Sequence, residues 1–143
     1  LTANPDVDAL YSHADYFNDA IEAGLVAANM LHPRPDEQHI IWTSIDGAPH
    51  AFERIRNGIM DQTSALPNYS FGEWAVKFLV DFIENGNRPV VGTEYIEEGA
   101  AWSPAWVEAG SSGPVMVISP FNVTIDTVDS DVLWGNKTWV RPE

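Results

Sequence analysis

Cysteine is absent from the 143 residues. That excludes disulfides, thiolate nucleophiles and Cys-ligated metals together. It leaves the compartment open, since a periplasmic protein need not use disulfides. Basic residues are scarce: 7 Lys and Arg stand against 21 Asp and Glu, for a formal net charge of −14. Such a chain has no basic patch to neutralise phosphates, which argues against nucleic acid, anionic membrane surfaces and polyanionic ligands as partners. No apolar run approaches the roughly 20 residues that a membrane span needs. No basic, apolar leader is present, and the chain opens at Leu1, which suggests a processed product or a piece of a longer protein. Internal repeats and low-complexity tracts are missing as well.

What is present is a hydrophobic fraction of 45% with six Trp, enough for a packed core in one ordinary domain. One stretch organises the rest. Ile40, Ile41, Trp42 and Ile45 form an apolar run that predicts a buried strand, and it stops at Asp46-Gly47. Pro49 suits the first turn of a following helix. This junction places the Asp46 carboxylate at the carboxyl end of a strand, where open parallel sheets bind ligands. The alternative is that Asp46 bonds only the backbone N–H groups of its own turn.

Taken in order, Asp8 to His13 predicts a short strand and Asp15 a cap for a helix running to about Leu31. Phe17, Ala20, Ile21, Gly24, Leu25 and Ala28 share one face of that helix. His32-Pro33-Arg34-Pro35-Asp36 ends it. A second strand spans about His39 to Ile45, a second helix Pro49 to about Asn57 with Gly58 as its terminal residue, and a weaker third strand Asp61 to Ala65. Phe71, Trp74, Ala75, Phe78, Leu79, Phe82 and Ile83 keep one apolar face along a third helix closed by Asn85-Gly86. Alternating strands and helices with short connections predict βαβ units and a parallel sheet, an α/β fold. From Pro89 the pattern changes. Val90 to Ile96 reads as extended, Ser103-Pro104 as the start of a brief helix ended by Gly110, and Val115 to Ile118 as a strand.

Three segments together resemble one family. They are Asp6-Val7-Asp8-Ala9-Leu10-Tyr11-Ser12-His13-Ala14-Asp15, then Ile45-Asp46-Gly47-Ala48-Pro49 with Arg56-Asn57-Gly58 behind it, then Ala65-Leu66-Pro67 with the helix to Gly86. In this order they resemble the carboxyl-terminal lobe of type 1 periplasmic solute-binding proteins, the sugar-binding components of ABC importers. The same lobe forms the effector domain of lac-type repressors. The resemblance implies two αβα lobes joined by a hinge, of which residues 1–92 supply part of one lobe and 93–143 a tail crossing toward the other. A fragment of that kind is expected to expose apolar edges and to self-associate.

The resemblance implies that Asp46 accepts hydrogen bonds from sugar hydroxyls, for which an ionised carboxylate with two accepting oxygens is suited. His13 and Asp15 at the neighbouring strand end, Tyr16 beside them, and Asn68 after the Ala65-Leu66-Pro67 loop complete the expected ligand contacts. Family members often carry asparagine where this chain has Ala14 and glutamine where it has Ala65, two departures that remove polar contacts. Each candidate also has a structural reading: His13 a strand-end residue bonded to backbone, Asp15 a helix cap, Asn68 and Tyr69 turn residues, Phe17 core packing. Trp42 and Trp74 read as structural, while Trp102, Trp106, Trp134 and Trp139 fall in the tail. His13-x-Asp15 and His50 near Asp46 are the best metal candidates, but no His pair has metal-ligand spacing. No metal or cofactor is therefore expected. Three glycosylation-acceptor patterns, at Asn68, Asn122 and Asn136, are of the kind chance supplies.

These readings imply a non-enzymatic, periplasmic solute-binding component of an ABC importer. It would capture a small neutral sugar or polyol between two lobes by hinge closure and present the closed state to a membrane permease. The alternative is the effector lobe of a lac-type regulator, which an upstream helix-turn-helix would reveal. A flavodoxin-like hydrolase using Asp46 and His50 lacks a nucleophile elbow.

Overall fold

The computed structural model describes Asn4 and residues 6–137. Its elements in chain order are β1 (Ala9–Tyr11), a 3-10 turn (Asp15–Phe17), α1 (Asn18–Ala27), β2 (Ile41–Asp46), α2 (Pro49–Arg56), β3 (Gln62–Ala65), α3 (Asn68–Asn85), β4 (Glu94–Tyr95), β5 (Ala105–Gly110), β6 (Gly113–Val117), β7 (Phe121–Val123) and a second 3-10 turn (Trp134–Asn136). The described chain forms two compact units. The first takes residues up to Ala65 and resumes at Asn122, and the second is Leu66–Phe121.

The first unit is built on a four-stranded sheet of order β1-β2-β3-β7. The β1–β2 and β2–β3 pairs are parallel, with Tyr11 opposite Thr43 and Asp46 opposite Ala65. Helices flank this mostly parallel sheet, as a three-layer αβα domain requires. Trp42 and Ser44 on β2, Thr63 and Ala65 on β3, and Ala51, Phe52 and Ile55 on α2 are buried, and Met60 and Val123 lie with them in the core. The parallel register brings the carboxyl ends of β1, β2 and β3 to one edge, and the loops that leave them carry Ser12 to Asp15, Gly47-Ala48 and Leu66.

Local chemistry explains the helix ends. α1 stops at Ala27, short of the proline cluster that was expected to end it. Asn29 takes a left-handed conformation (φ 54°), and the Met30 N–H donates to the Leu25 carbonyl, a Schellman closure for which Asn is the usual substitute for glycine. Gly58 (φ 73°) and Gly86 (φ 73°) follow α2 and α3 as their sequence positions predict. Beyond Phe121, where periodicity gave no signal, the chain returns along β3 as β7 and packs Val128 and Leu133 into the first unit. Arg56 secures this return by donating to Asp129 (2.8 Å) and Asn136 (2.9 Å).

In the second unit β4, β5 and β6 form an antiparallel sheet. The helix expected from Ser103-Pro104 is instead β5, whose alternation of buried Ala105 and Val107 with exposed Trp106 and Glu108 has the two-residue period of a strand. Trp102 is buried and donates to the Ser70 hydroxyl (2.8 Å), and Trp74 packs edge-on against Tyr95 and Trp102. The third helix forms where its pattern predicts, but no residue of α3 is buried. Leu79 is 57% and Ile83 70% exposed. The apolar face expected to pack in a core is therefore largely open to solvent. No helix among the described residues is long and apolar enough to cross a membrane.

Candidate functional site

The loops at the carboxyl edge of the first unit's sheet meet around Asp46. This residue ends β2 with φ 122°, a positive value that L side chains rarely adopt. Such a backbone costs on the order of 1–3 kcal/mol and persists only where its surroundings over-determine it. Gly47 follows at φ 78°, and a Cβ there would meet the Ala65 backbone at 2.7 Å, so β2 and β3 approach too closely for any side chain.

Two strand ends hold each other by reciprocal hydrogen bonds. The Asp15 N–H donates to Asp46 Oδ2 (3.2 Å), and the Ala48 N–H donates to Asp15 Oδ2 (2.8 Å). Asp15 is 1% exposed. Both its oxygens also accept from the Thr63 hydroxyl (3.1 and 3.2 Å), and Oδ1 accepts from the Asn18 amide (3.3 Å). Asp15 therefore does not cap its own helix as expected. Its carboxylate sits instead at the N-terminus of α2, where the Ala48 N–H and the helix dipole both favour a negative charge. The His50 Nε2–H, from the first turn of α2, donates to the Asp15 carbonyl (2.9 Å), since a carbonyl can only accept.

Asp46 differs in kind from Asp15. It is half-buried, and among the described residues no donor reaches its Oδ1. One oxygen is anchored while the other can accept from a molecule at the sheet edge. Beside it, His13 and Tyr16 are exposed, Tyr16 by 84%. Phe17, expected in the core, is 40% exposed, with its ring 4.8 Å from that of His13 and 5.4 Å from that of Tyr16. These three rings follow β1 directly, and all three residues are exposed. The edge thus combines an acceptor with a cluster of exposed rings, the pair of features that receives a hydroxyl group and an apolar face.

Of the residues singled out from sequence, Asp46, His13 and Tyr16 lie at this edge with side chains available. Asp15 lies there with its side chain committed to the interior. Asn68 opens α3 in the second unit. The described residues hold no group of three or more His, Asp or Glu side chains placed to share a metal ion.

Sequence reasoning missed the last member. The Trp134 indole N–H donates to the Asp46 carbonyl (3.0 Å) across 88 residues. Gly135 lies against the Gly47 carbonyl and Phe52, where a Cβ would come within 2.6 Å of the Phe52 ring. A Trp-Gly pair in a segment without periodicity was the one available signal, and it is too common to point to a partner. Trp139, named with it in the tail, is outside the described residues. The chain matches no model of a known protein family, and no curated protein matches it.

Proposed function

We propose that this chain belongs to a solute-binding component of an ABC importer, of the type 1 periplasmic-binding-protein-like fold, and that Asp46 accepts hydroxyl hydrogen bonds from a small neutral sugar or polyol. The observation that carries this reading is the Asp46 carboxylate: half-buried, on a strained backbone, at the carboxyl edge of a parallel sheet, with one oxygen anchored and the other reached by no donor among the described residues. An anchored carboxylate keeps its aim without losing its accepting capacity, and charge-assisted bonds to hydroxyls are about twice as strong as neutral ones. The exposed rings of His13, Tyr16 and Phe17 support a ligand with apolar faces. In a two-lobed protein the ligand is closed in from the opposite side, and the permease in the membrane reads the closed form. The uncovered apolar residues of α3 support a chain that is part of a larger assembly, because helices of this composition are normally covered.

The test is a nuclear magnetic resonance titration of the chain with D-glucose, D-ribose and myo-inositol at millimolar and higher concentrations. One lobe alone should bind weakly, with shifts confined to Asp15, Asp46, Gly47 and the His13–Phe17 segment and abolished in Asp46→Ala. Shifts that persist in Asp46→Ala, or their absence with all three probes, would sink the sugar-binding reading. Micromolar or tighter binding by this chain alone would refute the two-lobed mechanism.

A further inference from the structure

The Asp46 backbone is strained, yet the residues flanking it in sequence offer no reason for it to stay so. Asp46 opposes Ala65 in the parallel register of β2 and β3, a pairing that residues of ordinary extended φ make without strain. What holds the residue comes from far along the chain. The Trp134 N–H donates to the Asp46 carbonyl, and Gly135 fills the space over the Gly47 carbonyl and the edge of Phe52. The 3-10 turn that carries them is itself fixed on both sides. Leu133 before it is buried, and Asn136 within it donates to the Val128 (2.7 Å) and Ser130 (2.9 Å) carbonyls and accepts from Arg56.

We infer that Trp134 and Gly135 form a latch that keeps Asp46 at positive φ and thereby aims its carboxylate, which makes Trp134 a positioning residue for the ligand contact. The side chain and the carbonyl of Asp46 leave the same Cα. Fixing the carbonyl with the indole and Oδ2 with the Asp15 N–H leaves the Oδ1 direction no remaining freedom. Without the indole, rotation about the Asp46 N–Cα bond toward the extended region is no longer opposed at the carbonyl, and because that rotation carries the carbonyl and Cβ together, the carboxylate swings with it. The chemistry needs an N–H donor on a wide, rigid arm, which tryptophan supplies. The close approach needs a residue without a Cβ, which Gly135 supplies.

The inference rests on Asp46 as the ligand contact only for its consequence, not for the latch itself, and the experiment separates the two. In the wild-type chain the HN–Hα coupling of Asp46 should be small, as its φ of 122° requires, and the Trp134 indole proton should be protected from solvent exchange. In Trp134→Phe and Gly135→Ala the coupling should rise to the large value of an extended residue. Binding of whichever of D-glucose, D-ribose or myo-inositol shifts the wild-type spectrum should weaken about tenfold, with the shifts still centred on Asp46. If none of the three sugars binds the wild type, the sugar-binding reading fails while the coupling still judges the latch. An unchanged Asp46 coupling in either folded variant overturns the latch. If both variants fail to fold, a rapidly exchanging Trp134 indole or a large Asp46 coupling in the wild type overturns it equally.

Discussion

Replacing Asp15 by alanine tests whether a buried carboxylate, rather than the strands alone, holds the sheet edge together. The substitution removes the acceptor for three donors: the Ala48 N–H, the Thr63 hydroxyl and the Asn18 amide. Thr63 and Asn18 are fully buried, whereas Ala48 is half-buried and can reach water. A buried donor left without a partner costs about 1–3 kcal/mol. Asn18 keeps a second contact with the Met60 sulfur (3.5 Å), which places its loss at the low end of that range. Removing a carboxylate that forms no ion pair among the described residues recovers part of the cost by ending its desolvation. The balance is a destabilisation of about 3 kcal/mol for Asp15→Ala. Asp15→Asn keeps the shape and one accepting oxygen, and the Asn18 amide can turn to face the new NH2 group, so about 1 kcal/mol is expected. Urea unfolding followed by tryptophan fluorescence measures both. With an m-value near 2 kcal/mol/M, the alanine variant's midpoint should fall by roughly 1–2 M. An Asp15→Ala variant within about 0.5 kcal/mol of wild type, the scatter of surface substitutions, would refute the reasoning. That outcome would return Asp15 to the helix-cap or ligand-contact role that sequence alone suggested for it.

Other outcomes follow from the same contacts. Gly47→Ala should cost at least about 2 kcal/mol in the same unfolding assay, because it adds a Cβ at positive φ and drives it into the Ala65 backbone. Phe52→Ala should cost about 3–5 kcal/mol, as expected for a fully buried ring at the centre of the first unit. Arg56→Ala should cost no more than about 1 kcal/mol, since its bond to exposed Asp129 is screened. Faster amide exchange from Val128 to Asn136 should accompany it. The double variant Leu79→Glu, Ile83→Glu on α3 should leave stability within about 0.5 kcal/mol while reducing self-association in sedimentation equilibrium and dye binding to exposed apolar surface.

What sequence made legible, and what it hid, divides along the range of the interactions involved. The Pro49 start of α2, the Gly58 and Gly86 terminations and the strand ending at Asp46-Gly47 are local events, decided within a few residues of backbone and side-chain chemistry. They could be read because periodicity and turn residues record them directly. Asp15 was visible as a polar residue at a helix start, but two of the three donors that claim its carboxylate sit 33 and 48 residues away. No local pattern encodes which helix a carboxylate will cap. Phe17 carried the right spacing for a core position and stands half in water beside His13 and Tyr16, since an amphipathic stripe says which face is apolar and not whether anything covers it. α3 repeats that lesson on a larger scale. The brief helix expected from Ser103-Pro104 gave way to β5, where pairing with β6 decided the structure of a short apolar segment. Trp134 was the least accessible, because its role exists only once β7 has brought the end of the chain back to the first unit.

The route by which Trp134 reaches Asp46 also sets an order of events during synthesis. At roughly 5–20 residues per second, the indole follows its carbonyl partner out of the ribosome by about 4–18 seconds, given their separation of 88 residues. In that interval β1, β2, β3 and α2 can already pair, since their contacts are closer in sequence. The nascent unit would thus carry the sheet edge with Asp46 relaxed and its carboxylate unaimed. The aim of the Asp46 carboxylate would be set only after the segment around Trp134 has joined the unit, later than the pairing of the strands that carry it.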